Sequence, residues 1–252
     1  MTMSTADTFK EYVSHLFAGR RINARDLVLK AQDQGKPAAK LLKKIIWPAM
    51  EQIDKLYRED HISLLVKQMS ERINRTVADQ LQRFLAREPK TGQRMVITCG
   101  AGEISELGAQ VMADLFEAQG WTVWFLGADV PSDEILQFIG KVDPDILCIY
   151  GVQPSGVAEV RKLIDMIRGV GVCEQMQVLV SGGVFNRAEG LDEEVKADLF
   201  AADIEEALET VRDHPVRVPR PDMPQPGRRR KRKQSAAQAA AIRKAKKVLQ
   251  KP

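Results

Sequence analysis

Arg94 to Asp129 reads RMVITCGAGEISELGAQVMADLFEAQGWTVWFLGAD. Arg94–Cys99 is a branched apolar run too short for a helix, and Gly100 and Gly102 break it where a crossover would turn. Glu106–Gln119 then carries apolar residues at helical spacing, and Trp121–Phe125 is a second apolar run. Strand, glycine-bearing loop, helix and strand make a parallel crossover unit. In open parallel sheets a ligand sits beyond the strand carboxyl ends, beside the point where strand order reverses. The loop after Cys99 is therefore the first place to expect a site.

The same alternation continues downstream. Asp145–Tyr150, Met176–Ser181 and a short Asp198–Phe200 read as strands, with helices expected at Ser132–Lys141, Gly156–Arg168, Ala188–Lys196 and Ile204–Arg212. Alternating strands and helices imply an α/β fold with a parallel sheet covered on both faces. A five-stranded, flavodoxin-like (Rossmann-like) order is the expected topology. Upstream the period is helical throughout, in segments Thr8–Ala18, Ala24–Gln34, Lys36–Arg58 and Ser63–Arg87, which suits a four-helix bundle. Asn23 and Ser63 are candidate caps, and Trp47-Pro48 predicts a break or kink in the third segment. The polar joint Arg87–Gly92, with Pro89, separates the two patterns. The expected division is a bundle over 1–88, an α/β domain over 92–213, and a proline-rich linker and basic tail over 214–252.

The 252 residues are 44% hydrophobic, enough to bury a real core, and no apolar run reaches the roughly 18 residues of a membrane span. The N-terminus lacks an apolar secretory segment, so a cytoplasmic location is expected. Cys99, Cys148 and Cys173 lie far apart, which argues against a zinc site or disulfide framework, and Cys99 and Cys148, at strand ends, read as buried small residues. The net charge of +4 hides a division, because 11 Lys or Arg and no acid fall within Arg228–Pro252, leaving an acidic body. Arg228, Arg229, Arg230, Lys231, Arg232 and Lys233, with Arg243, Lys244, Lys246 and Lys247, form two clusters without interleaved aromatics. Such runs engage the phosphates of DNA or RNA, or an acidic protein, in a salt-sensitive way without reading bases. A solubilising tail, or one that folds back on the acidic body, is the alternative.

Four elements in register resemble the cobalamin-binding modules of methionine synthase and of light-sensing, cobalamin-dependent transcriptional repressors. The family's loop of Asp or Glu, any residue, His, two residues and Gly is matched by Glu103-Ile104-Ser105-Glu106-Leu107-Gly108, with Ser105 at the position of the cobalt-ligating His. Trp121-Thr122-Val123 with Leu126–Pro131 resembles the second strand and its turn, Ser181-Gly182-Gly183 the double glycine, and Ala197–Asp203 the closing stretch. The resemblance covers about Thr8 to Arg212 and implies a corrinoid held between bundle and sheet. Its nucleotide tail would enter a slot between the first loop, the third strand's end and the double glycine, where glycine permits close approach.

On that resemblance the candidate cofactor-binding residues are Glu103, Ser105, Gly108, Tyr150, Gly151, Gln153, Ser181, Gly182 and Gly183. Tyr57 stands where the repressors place an aromatic cap, with Lys67 and Gln68 in place of their Glu-His pair. Tyr150, where a Ser or Thr is usual, either hydrogen-bonds a ligand or fills the slot. A serine hydroxyl is a poor cobalt ligand beside an imidazole, so no metal ligand is expected from below. His61 is a candidate from above, against the plainer reading of a solvated turn histidine. Asp129 and Glu103 read as loop caps, and no catalytic triad or phosphate loop is present.

The expectation is a non-enzymatic sensory or regulatory protein that holds cobalamin, or alternatively heme or another tetrapyrrole, and engages nucleic acid through its tail, with transcription regulation as its setting. Two further readings are a corrinoid carrier subunit for a methyltransferase and a cofactor-free scaffold working through protein contacts. A homo-oligomer fits any of them.

Overall fold

The computed structural model describes residues 3–218. The basic clusters at 228–233 and 243–247 lie outside them. Helix α1 (Thr5–Phe17) begins where the Ser4 side chain accepts from the Asp7 N–H, and α5 (Leu64–Gln82) where Ser63 accepts from Val66. Between them lie α2 (Arg21–Asp33), α3 (Ala38–Leu41) and α4 (Trp47–Arg58). Asn23 does not cap α2: the helix starts at Arg21 without a side-chain cap and takes Asn23 inside its first turn. The break or kink expected at Trp47-Pro48 takes the form of an interruption of the α-helix just ahead of Pro48. A π-helical turn, Leu42–Ile46, joins α3 to α4 and takes up the mismatch caused by a residue without an N–H.

The bundle core closes on a buried polar chain. The Tyr12 hydroxyl donates to Asn74 Oδ1 at 2.9 Å, and Asn74 Nδ2 donates to the Ile46 carbonyl at 3.1 Å. Tyr12, Ile46 and Asn74 are all fully buried. The link ties α1, α5 and the π turn together with each partner satisfied.

Strands β1 (Arg94–Cys99), β2 (Thr122–Gly127), β3 (Ile146–Tyr150), β4 (Gln177–Ser181) and β5 (Leu199–Ala201) form one parallel sheet in the order β2-β1-β3-β4-β5. Strands β3 and β4 are buried throughout, as strands covered on both faces must be, while edge strand β2 is half-exposed. The order reverses between β1 and β3. Helices α6 (Leu107–Ala118) and α11 (Ile204–Asp213) cover one face and share a single apolar core with the bundle, from Tyr12 to Val211. Helices α7 (Ser132–Val142) and α8 (Val157–Val170), with short α9 (Gly183–Arg187) and α10 (Leu191–Val195), accompany a second core on the other face. The shared core makes the described residues up to Arg217 one compact unit. No helix among the described residues is long and apolar enough to cross a membrane.

Candidate functional site

The carboxyl ends of β1 and β3 flank the reversal point, with that of β4 next to β3. Glu103, only 4% exposed, locks the loop after β1: its Oε2 accepts from the Val152 and Gln153 N–H groups at 2.6 and 3.0 Å, and its Oε1 from the Ser105 N–H at 3.0 Å. Three N–H donors converging on one buried carboxylate make it a structural clasp between two loops. Asp129 similarly accepts from the Gly102 N–H at 3.0 Å. Glu106 spans further, accepting from the Ala128 N–H at 2.6 Å and from Arg75 of α5 at 3.3 Å.

Ser105 borders a cavity of about 190 Å³ between α5 and its own loop, lined also by Met50, Gln68, Arg72, Asn74 and Leu107. His61 is not part of this lining. It sits on the turn after Asp60, whose φ is 57°, with its side chain 65% exposed and 3.4 Å from Glu59, so the candidate upper ligand is a solvated turn residue. No group of His, Cys, Asp and Glu able to hold a metal ion occurs among the described residues. Tyr57 lies half-buried at the end of α4 with the Lys67 ammonium 5.5 Å from its ring centroid, while Lys67 pairs with Glu71. The aromatic that reaches the sheet is Trp47 instead, edge-on to Tyr150 at 6.2 Å between centroids.

Tyr150 occupies the slot. Its side chain is 2% exposed, its hydroxyl lies 3.9 Å from Met50 Sδ, and a Cβ placed on Gly108 would lie 2.1 Å from that hydroxyl. Burial, with the Glu103 and Glu51 charges adding to it, pushes the phenol well above its ordinary range, so it stays neutral. Burial raises the Cys99 thiol too, helped by Glu106 and Glu103, and takes Cys148 up to about 12, which removes thiolate chemistry at both.

The double glycine has a local cause. Gly182 takes φ 103°, and a Cβ there would meet the Gly151 carbonyl at 2.3 Å. Close approach at this point is of backbone to backbone. Gly151 has Val184 and Phe185 against it on the other side, and Gly183 opens α9. The Ser181 hydroxyl is fully buried and meets no hydrogen-bond partner among the described residues.

Sequence reading missed the residues that clamp the bundle to this end. Arg187 donates to the Val152 carbonyl at 2.6 Å and lies 3.6 Å from Asp54 of α4, with burial and the nearby Arg58 lowering its pKa. Lys44 pairs with Glu205, and Gln82 donates to Asp114 at 2.9 Å. Trp47 and Met50 complete the contact. The one signal available was the apolar pair Trp47 and Met50 at three-residue spacing, which reads equally well as bundle core.

A helical bundle docked on a five-stranded parallel sheet, with an acidic-x-x-x-x-Gly loop at the reversal point and a double glycine after β4, is the two-part architecture of a corrinoid-binding module. Residues 93–212 match the family described as B12 binding domain, and residues 8–82 match a second family with the same description. Together these matches show a cobalamin-binding module and identify cobalamin as its cofactor. The chain is 21% identical over 194 residues to dimethylamine corrinoid protein 2 of Methanosarcina acetivorans, covering 73% of this chain and 87% of that protein. It is 23% identical over 172 residues to the methanol corrinoid protein of Methanosarcina barkeri, covering 68% and 66%. The solved structure of the Methanosarcina barkeri monomethylamine corrinoid protein shares the fold, with a TM-score of 0.75 over 83% of this chain and 99% of that one at 17% identity.

Tested against a corrinoid, the residues fit in part. The loop frame and the glycines are in place, yet no imidazole borders the cavity, that cavity is smaller than the roughly 300–1,000 Å³ of cofactor sites, and Tyr150 fills the slot.

Proposed function

We propose that this chain is the corrinoid-binding carrier component of a methyl-transfer system, working with a separate methyltransferase. The observation that carries the reading is the span of the likeness: both halves of the module match B12-binding families, and the relatives are corrinoid proteins whose names vary only in the methylated compound. The chain's own part is to bind the cofactor and present it at the junction of α4, α5 and the Gly100–Gly108 loop. Bond-making belongs to the partner, which fits the neutral phenol and raised thiols at the site.

The carrier reading is supported better than the sensory and transcriptional one, because corrinoid proteins are the relatives found. What supports nucleic-acid engagement is the charge of the tail alone. The filled slot is the one feature that favours the cofactor-free scaffold. One experiment decides: the full chain is incubated with hydroxocobalamin, passed through gel filtration, and its bound corrinoid measured by absorbance. About one corrinoid per chain is expected. Protein that elutes colourless overturns the carrier reading in favour of the scaffold.

A further inference from the structure

Helix α5 and the start of α2 border an acid-free groove on an otherwise acidic body. Two cavities, of about 480 and 710 Å³, share Arg21, Ile73 and Thr76 as lining and so run together along α5. Their α5 wall extends from Leu64 to Thr76, about 18 Å of helix. Met69 lies against Gly19, where a Cβ would be 2.6 Å from its sulfur, so the bare glycine lets the flexible thioether form part of the wall. Leu65 is 71% exposed and Ile22 65%, and Leu64 is exposed too. Open apolar side chains gathered in one groove mark an interaction surface. No Asp or Glu lines either cavity, while Arg20, Arg21, Arg25 and Arg72 do. Among the described residues Arg20, Arg21 and Arg72 make no ion pair, and Arg25 pairs with its neighbour Asp26. Gln68 and Arg72 also line the cavity that Ser105 borders, so the groove reaches the candidate site.

We propose that this groove docks an acidic amphipathic helix of the partner methyltransferase. The inference rests on the carrier reading above and adds the surface by which the partner is recruited. Chemistry selects the occupant. A helix laid in a groove anchors apolar residues at three- and four-residue spacing, which Ile22, Leu64, Leu65 and Met69 are placed to receive. Carboxylates on its flanks meet the unpaired arginines and steer its approach. Phosphates would use the arginines and leave the exposed leucines idle, and the chain's own basic tail carries the wrong sign. Position selects the partner, because a helix seated here lies next to the loop at which the carrier presents its cofactor.

The test titrates the full chain against a labelled, stapled helical peptide of about 14 residues, with a Leu stripe and Glu elsewhere, followed by fluorescence anisotropy. A peptide of the same composition, scrambled so that the stripe is lost, is the control. Wild type is expected to bind the striped peptide about tenfold or more tightly than the scrambled one. Arg21→Glu with Leu65→Glu should weaken binding on the order of tenfold or more and leave hydroxocobalamin uptake unchanged. Both positions are exposed and in the first turn of their helices, where an acidic side chain is favourable, so the variant should fold. Equal binding of the two peptides, or undiminished binding by the variant, places the peptide on the basic tail and overturns the inference. Absence of peptide binding overturns it as well, and with hydroxocobalamin still taken up the carrier reading stands. A wild-type dimer in sedimentation that Leu65→Glu turns into a monomer assigns the groove to a second copy instead. Duplex DNA binding that Arg21→Glu weakens assigns it to nucleic acid, and either result overturns the inference. Wild-type protein that binds the striped peptide through these residues but takes up no hydroxocobalamin overturns the carrier reading and, with it, the methyltransferase as partner.

Discussion

A methyl group at Gly108 would collide with a rigid, buried ring that Trp47 and Met50 hold in place. Overpacking of that kind costs about 1–3 kcal/mol, which outweighs the roughly 1 kcal/mol that alanine gains over glycine inside a helix. Gly108→Ala should therefore lower stability by about 1–2 kcal/mol in urea unfolding. In a Tyr150→Ala background the collision is gone and the same change should be neutral or stabilising. An equal cost in both backgrounds would show that the ring is not what excludes the methyl group. Gly182 is required for another reason, since its positive φ and the Gly151 carbonyl both exclude a side chain.

Helices α5 and α6 meet through polar groups whose burial has a pH signature. Asp114 is 6% exposed, with Oδ2 lacking a hydrogen-bond partner, and burial raises its pKa to about 6, the Gln82 hydrogen bond offsetting only part. The folded chain thus holds the proton more tightly than the unfolded chain, whose aspartate titrates near pH 4. This stabilising contribution is complete below about pH 4 and is lost as pH rises through about 6, amounting to at most about 3 kcal/mol. Asp114→Asn keeps an acceptor for Gln82 and cannot ionise. It should raise stability at pH 7.5 by about 1–3 kcal/mol and flatten the pH dependence between about 4 and 6.5, measured by urea unfolding across pH. A slope unchanged from wild type would place the titration elsewhere. Within the bundle, Asn74→Ala leaves the Tyr12 hydroxyl and the Ile46 carbonyl buried without their partner, and should cost about 2 kcal/mol or more in thermal or urea unfolding.

One apolar core runs from the bundle into α6 and α11, so the described residues up to Arg217 have the contacts they need within themselves. A chain ending at Arg217 should unfold in one cooperative transition at nearly the full-length midpoint. If the basic run beyond it engages nucleic acid, counterion release requires full-length protein to lose about a thousandfold or more in affinity for mixed-sequence duplex DNA between roughly 50 and 200 mM salt. The shortened chain should not bind. Salt-insensitive or absent binding by the full chain would remove nucleic acid as the partner and leave the tail without a polyanion role.

The strands of the α/β half, and its helices apart from the unexpected α9, were legible to within a few residues, because a period of two against one of 3.6 is a local property and strands buried on both faces must be continuously apolar. The alternation implied a parallel sheet, and the flavodoxin-like order expected among its possible orders is the one observed. The loop residues of the site were equally legible, since Glu103, Ser105 and Gly108 fall in one short frame. By itself, then, the sequence determined the architecture and the end of the sheet where a ligand belongs. Whether Tyr150 would reach a ligand or fill the slot was open, as was the partner of Gly108. The clamping roles of Asp54 and Arg187 were silent, Asn23 pointed to a cap where the helix instead starts at Arg21, and Pro48 pointed to a break or kink that takes the form of a π turn. The contacts of Tyr150 and Arg187 join groups 35 to 133 positions apart, and no local period encodes which of them meet. Only the packed core decided that the ring of Tyr150, at the end of β3, lies against the bare backbone of Gly108 in α6.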